Sequence, residues 1–166
     1  MKKLTAFIFA ALMILSTASC AQKRSDIQPL TSGITFNCEI TYYNECYEAS
    51  TDISDDGVMT CEITSPDTLK GLKLIFNGDD MTAEYRGLEY KNDISSLPQG
   101  TAFTNLYRIL RAAAKSEVVF ENDNYCINGK TEDISFRLIL GATGLPISAE
   151  VPDSGFRISF KNTTIK

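Results

Sequence analysis

The chain of 166 residues contains no histidine and no tryptophan. The absence of histidine removes the Ser-His-Asp and Cys-His routes to an activated nucleophile. It also removes the commonest metal ligand, and no two cysteines stand at the C-x₂₋₄-C spacing of a zinc site. No Gly-rich phosphate loop is present. Asp55-Asp56 and Asp79-Asp80 are paired carboxylates, but each pair sits in a turn, where Asp serves the backbone. No catalytic residue, cofactor or metal is therefore expected, and the chain is read as a non-enzyme. Basic residues are also scarce: 16 Lys and Arg stand against 21 Asp and Glu. Nucleic acid is excluded as a partner, because its binding rests on many cationic contacts to phosphate.

The first residues carry an address. Lys2 and Lys3 precede an apolar run from Leu4 to Leu15, and Ser16-Thr17-Ala18-Ser19 leads to Cys20. This is the order of a bacterial export signal, and the run is too short to span a bilayer. Thr17-Ala18-Ser19-Cys20 resembles a lipobox, the site at which acyl chains such as palmitate are attached to a cysteine before cleavage. The expectation is a signal peptide over 1–19, a tether from acylated Cys20 over 20–33, and a domain over 34–166. The protein would then be an extracytoplasmic lipoprotein, anchored to the cell membrane by Cys20. Its mature part would carry 14 basic and 21 acidic residues. Four further cysteines, Cys38, Cys46, Cys61 and Cys126, permit three complete disulfide pairings, and spacing does not choose among them.

From Ile34 onward the chain alternates apolar and polar residues at period two, interrupted by turn signals. Ile34 to Tyr42 form the first such face, with Asn44-Glu45 as its turn and a second strand through Ile53. If Tyr43 opposes Cys46, Cys38, Thr51 and Cys61 align across three strands, and a Cys38–Cys61 bond would have to cross about 10 Å. Ser54-Asp55-Asp56-Gly57, Asn77-Gly78-Asp79, Asn128-Gly129 and Pro152-Asp153-Ser154-Gly155 read as further turns. Only residues 101–115 have helical periodicity: Phe103, Leu106, Tyr107, Leu110 and Ala114 make one stripe, and Pro98 precedes it. Arg108, Arg111 and Lys115 make a basic stripe that complements the helix dipole or contacts a partner. The predicted fold is mainly β with one principal helix (α+β). About 10–11 strands would form a half-open antiparallel β-barrel wrapped around the helix.

Four short motifs occur in a particular order along residues 34–162. They are Ser65-Pro66-Asp67-Thr68-Leu69-Lys70-Gly71-Leu72, Tyr85-Arg86-Gly87-Leu88, Thr143-Gly144-Leu145-Pro146 and the closing Ser159-Phe160. In this order they resemble the LolA-like lipoprotein-carrier superfamily, which includes LolA, LolB and RseB, and most of all its Gram-positive-type lipoprotein members. The resemblance implies a half-barrel whose concave apolar face is lidded by helix and takes acyl chains, a lipoprotein or a hydrophobic segment. The residues that would line that face are Phe36, Ile40, Tyr42, Leu74, Phe76, Tyr85, Phe136, Leu138, Ile147, Phe156 and Phe160 on strands. Phe103, Leu106 and Leu110 would line it from the helix. The alternative is a surface-anchored module that binds and regulates another envelope protein, with these side chains as plain core.

The anchor is the first expectation to test. Globomycin should make the precursor accumulate, and Cys20→Ser should leave it unprocessed. Normal processing and membrane retention of Cys20→Ser would contradict it.

Overall fold

The structure, a computed structural model, describes residues 23–96, 101–131 and 134–166. The expected export signal, Cys20 and Pro98 lie outside the described residues. Among the described residues, twelve strands and one α-helix follow one another. The strands before the helix are β1 (Lys23–Arg24), β2 (Ile34–Tyr42), β3 (Glu45–Ile53), β4 (Met59–Ser65), β5 (Lys73–Asn77), β6 (Asp80–Tyr85) and β7 (Leu88–Asp93). After the helix α1 (Ala102–Ala113) come β8 (Val119–Glu121), β9 (Asn124–Lys130), β10 (Ser135–Leu140), β11 (Pro146–Val151) and β12 (Phe156–Ile165). All twelve strands belong to one antiparallel sheet, in the order β1-β8-β9-β10-β11-β12-β2-β3-β4-β5-β6-β7. The sheet curls around α1 without closing, so the predicted half-open barrel is the fold.

The alternation read from the sequence sets which face is buried. Ile34, Phe36, Cys38 and Ile40 are buried on β2, while Asn37 and Thr41 are exposed. Ile158 and Phe160 face the same way on β12, opposite Ile40 and Cys38. Across β3, β4 and β5 the buried set continues through Ala49, Ile53, Met59, Ile63 and Phe76. All of these, with the inward side of α1, make one contiguous core. Its apolar face is wide, and α1 covers it.

Local chemistry moves three details from their predicted places. The β2–β3 turn is Tyr43-Asn44, both at positive φ (47° and 72°), not Asn44-Glu45. Two central residues at positive φ match the right-handed twist of the flanking strands. Cys38 therefore opposes Ala49, and Thr51 opposes Phe36. The shift is two residues, so no side chain changes face. Asn128-Gly129 is not a turn: β9 runs through it to Lys130, and Gly129 opposes Phe136. A Cβ on Gly129 would lie 2.3 Å from the Phe136 ring, so glycine is required for the ring to lie flat on the strand. The twelfth strand is β1, in the stretch expected as a tether. Lys23 and Arg24 pair with Phe120 and Val119, and the Leu30 amide donates to the Gly144 carbonyl at 2.9 Å. Gly144 (φ +83°) lies so close to Gln28 that a Cβ would stand 2.1 Å from its carbonyl oxygen. That contact explains the glycine in Thr143-Gly144-Leu145-Pro146.

Nine of the twelve residues of α1 are buried. The predicted stripe holds for Phe103, Leu106, Tyr107 and Leu110, whereas Ala114 is exposed, and Ile109 and Ala113 are buried in addition. Truncating a buried leucine to alanine costs roughly 2–5 kcal/mol. At about 2–4 °C per kcal/mol for a domain of this size, Leu110→Ala should lower Tm by roughly 4–20 °C. Arg111→Ala should lower it by no more than a few degrees in the same thermal melt. Equal small effects would contradict the burial of the stripe.

Candidate binding site

Most of the side chains expected to line the concave face are there. Phe36, Ile40, Phe76, Phe103, Leu106, Leu110, Phe136, Leu138, Phe156 and Phe160 are all buried in the same core cluster. Tyr42 and Leu74 are half-buried against its edge, and Tyr85 is half-buried, with its ring beneath Arg86. Ile147 is the exception, at 50% exposure. A bulge causes this: β10 pairs Ile139 with Ser148 and Leu140 with Pro146, so Ile147 is skipped. The bulge reverses the alternation, burying Pro146 and turning Ile147 outward.

Among the described residues the space beneath the middle of α1 is filled by packed side chains. Phe36 meets Phe160 edge-on at 5.0 Å, Phe103 meets Tyr47 edge-on at 6.0 Å, and Tyr107 stacks on Phe76 at 5.1 Å. The opening lies at the C-terminal end of the helix. There a mouth of about 360 Å³ leads in from the Ser32, Asp55–Gly57 and Asn77-Gly78 turns. Its floor is Ile53, Met59, Tyr107 and Leu110, all buried, and its rim is polar. An apolar floor with a few polar groups at the rim is the usual construction of a small-molecule site, and the volume falls in the usual range.

A clasp closes one side of the mouth. The Gly78 carbonyl accepts from Tyr107 Oη at 3.1 Å and from Arg111 Nη1 at 2.8 Å. Arg111 also pairs with Asp79 at 3.0 Å, and that carboxylate raises the guanidinium pKa further. Gly78, Tyr107 and Arg111 also border a second cleft of about 650 Å³, which runs along Asp93, Ile94, Ser95, Lys115, Lys130 and Thr131. Releasing the clasp would join the two spaces. The clasp is weak. Arg111 and Asp79 are half or more exposed, and an exposed ion pair contributes about 0–1 kcal/mol. The hydrogen bond from Tyr107 adds roughly 0.5–1.5 kcal/mol. The sequence marked Arg111 as a helix-dipole or partner residue. Its bond to a turn 33 residues away had no signal in the sequence.

Two polar features mark the interior; the sequence aligned the first, Cys38, Thr51 and Cys61, across three strands and gave no sign of the second. Thr51 donates to Cys61 Sγ at 3.4 Å and stands 3.8 Å from Cys38 Sγ, so on β3 it links two buried thiols on the flanking strands β2 and β4. Cys38, Cys46, Cys61 and Cys126 are all free. Burial pushes the Cys38 thiol up to about 11 and the Cys61 thiol up to about 12, despite the Thr51 hydroxyl. The other feature is Asn105, 1% exposed, whose side-chain nitrogen and oxygen have no hydrogen-bond partner. A buried polar group left in this state costs about 1–3 kcal/mol.

No protein-family model matches the chain, and no curated protein matches it. Among solved structures, its arrangement is similar to that of a LolA superfamily protein from Nitrosomonas europaea. That likeness has a TM-score of 0.44 and 10% sequence identity, and covers 85% of this chain and 89% of that one. The chain is similar also to a DUF1329 family protein from Desulfovibrio piger, with a TM-score of 0.45 and 13% identity. There 82% of this chain and 87% of that one are covered.

The buried thiols set a test of the interior. A thiol held protonated in the fold and free to ionise when unfolded stabilises the native state below the unfolded pKa. An unperturbed thiol titrates near 9.0, so stability should decline as pH rises from about 9 toward 11–12. At pH 8 a thiol reagent should label the exposed Cys46 in the native protein and reach Cys38 and Cys61 only on unfolding. Rapid native labelling of Cys61 would contradict its burial.

Proposed function

We propose that this domain binds an acyl chain or another linear apolar group on the concave face of its sheet, beneath the C-terminal end of α1. The observation that carries the reading is the mouth, where an apolar floor of Ile53, Met59 and Leu110 opens to solvent under a single weakly clasped helix end. Magnitudes limit how the helix yields. Removing Phe103, Leu106, Ile109 and Leu110 from the core would forfeit roughly 1.5–3 kcal/mol each, so α1 does not lift away as a body. Displacing Leu110 and Tyr107 alone costs the clasp and about two side chains. A ligand restores about 0.8 kcal/mol per buried methylene, so a chain that buries eight to ten offsets that cost. The membrane supplies such chains, and an acylated Cys20 would hold the domain beside them.

A second reading is favoured by the other end of the sheet. Among the described residues, strand β7 is an unpaired edge, with Leu88 at 76% and Tyr90 at 59% exposure. An edge of this kind accepts a strand from a partner. In that reading the protein is an anchored interaction module for another envelope protein, and the core carries no ligand.

Titration of the intact purified protein with a fluorescent acyl probe separates the two. The first reading expects saturable binding at roughly micromolar strength and faster association for Arg111→Ala, which opens the clasp. It expects Tyr90→Lys on β7 to leave probe binding unchanged. No saturable binding, together with an envelope protein retained by wild type and lost by Tyr90→Lys, would put the second reading in its place.

A further inference from the structure

Strand β7 presents a self-complementary pattern on an open edge. Among the described residues the sheet ends there. Two observations settle which backbone groups face outward. The Ile94 amide donates to the Asp79 carbonyl at 2.8 Å. Arg86-Gly87, both at positive φ, joins Tyr85 to Leu88 as a two-residue hairpin. Hydrogen-bonding residues alternate along an antiparallel pair. Leu88, Tyr90, Asn92 and Ile94 therefore bond toward β6, and the backbone groups of Glu89, Lys91 and Asp93 point to the open side. The Asp93 amide is taken by Asn92 Oδ1 at 3.0 Å. Glu89 and Lys91 remain, with exposed side chains of opposite sign. On the other face of the strand stand the exposed Leu88 and Tyr90, which pair with Tyr85 and Ala83 of β6.

We propose that β7 pairs with β7 of a second copy of this chain, antiparallel about a two-fold axis at Tyr90. The charges select this register. Residues with open backbone groups must oppose one another, so the axis passes through one residue of the strand. An axis at Glu89, Lys91 or Asp93 would set that charge against its own counterpart, and like charges directly opposite are destabilising. An axis at Asn92 would set Lys91 against Asp93, whose amide is already bonded. An axis at Leu88 would set Glu89 against Gly87 in the hairpin turn. The axis at Tyr90 sets Glu89 against Lys91, twice by symmetry, and each pair exchanges both its backbone hydrogen bonds. Tyr90 then meets its counterpart at the closer, non-hydrogen-bonded spacing, with a Leu88 diagonally beside each ring. The exposed apolar pair is covered by its own twin. Charges on an edge strand ordinarily keep other strands away, but here their order admits an identical strand. A single strand pair is a small interface, so the association is weak and reversible. Anchors at Cys20 would hold copies on one surface and raise their effective concentration. The inference does not depend on acyl binding, and it gives the edge to a second copy rather than to another envelope protein.

Sedimentation velocity of the intact purified protein over a concentration series tests it. Wild type should dimerise reversibly. Glu89→Lys and Lys91→Glu should each raise the dimer Kd by about tenfold or more, because each reverses both cross-strand pairs. An equimolar mixture of the two variants should regain association, since every lysine then faces a glutamate. Cys46→Ser removes the exposed native thiol. In that background Tyr90→Cys should oxidise to a disulfide-linked dimer, because Cα atoms of a non-hydrogen-bonded pair stand about 4.5 Å apart. Glu89→Cys, displaced from its counterpart by two residues, should not. A wild type that stays monomeric throughout, association indifferent to both charge reversals, or a mixture no better than its components would each overturn the proposal. A monomeric wild type that retains an envelope protein, lost in Tyr90→Lys, would give the edge to another chain instead. Acyl-probe binding is read separately and stands or falls on its own titration.

Discussion

The structure depends on one requirement: a broad antiparallel sheet with one apolar face must have that face covered. Twelve strands give more curvature than a flat layer and less than a closed barrel. Helix α1 answers the requirement from within, which is why nine of its twelve residues are buried. Its covalent connections are to β7 and β8, and at its C-terminal end Tyr107 and Arg111 bond to the β5–β6 turn. Burial fixes the helix in place, and only weak polar contacts fix its end.

That imbalance is what links the fold to a function. A helix held by apolar contact gives way to another apolar body that replaces the contact, but not to water. The clasp at Gly78 lies where the core comes closest to solvent, between the 360 Å³ mouth and the larger cleft beside it. The free protein keeps this end packed, and on the acyl-binding reading the cost of opening it is offset by the methylenes a chain buries there.

Much of the fold was legible in the sequence because period-two alternation and turn dipeptides are local. Ile34 to Ile40, Phe136 to Leu140 and Phe156 to Phe160 declared their faces residue by residue, and Phe103 to Leu110 declared the helix. Features that depend on a neighbouring strand were not legible. Ile147 obeys the alternation of its own strand but is turned outward by a bulge against β10. Gly129 has the sequence of a turn, but its conformation follows from the Phe136 ring. The docking of Gln28 and Leu30 on Gly144 joins segments more than a hundred residues apart. The candidate site was legible as a set of inward side chains. Its mouth, its clasp and the solitary Asn105 depend on where α1 comes to rest, which periodicity does not encode.

The central claim is that an acyl chain lies under the C-terminal end of α1. Intermolecular NOEs between a ¹³C-labelled fatty acid and the methyl groups of the protein test it most directly. The account expects contacts from the chain to Ile53, Met59 and Leu110. Contacts confined to Ile147 or Leu88 on exposed surface, or none at saturating ligand, would contradict it.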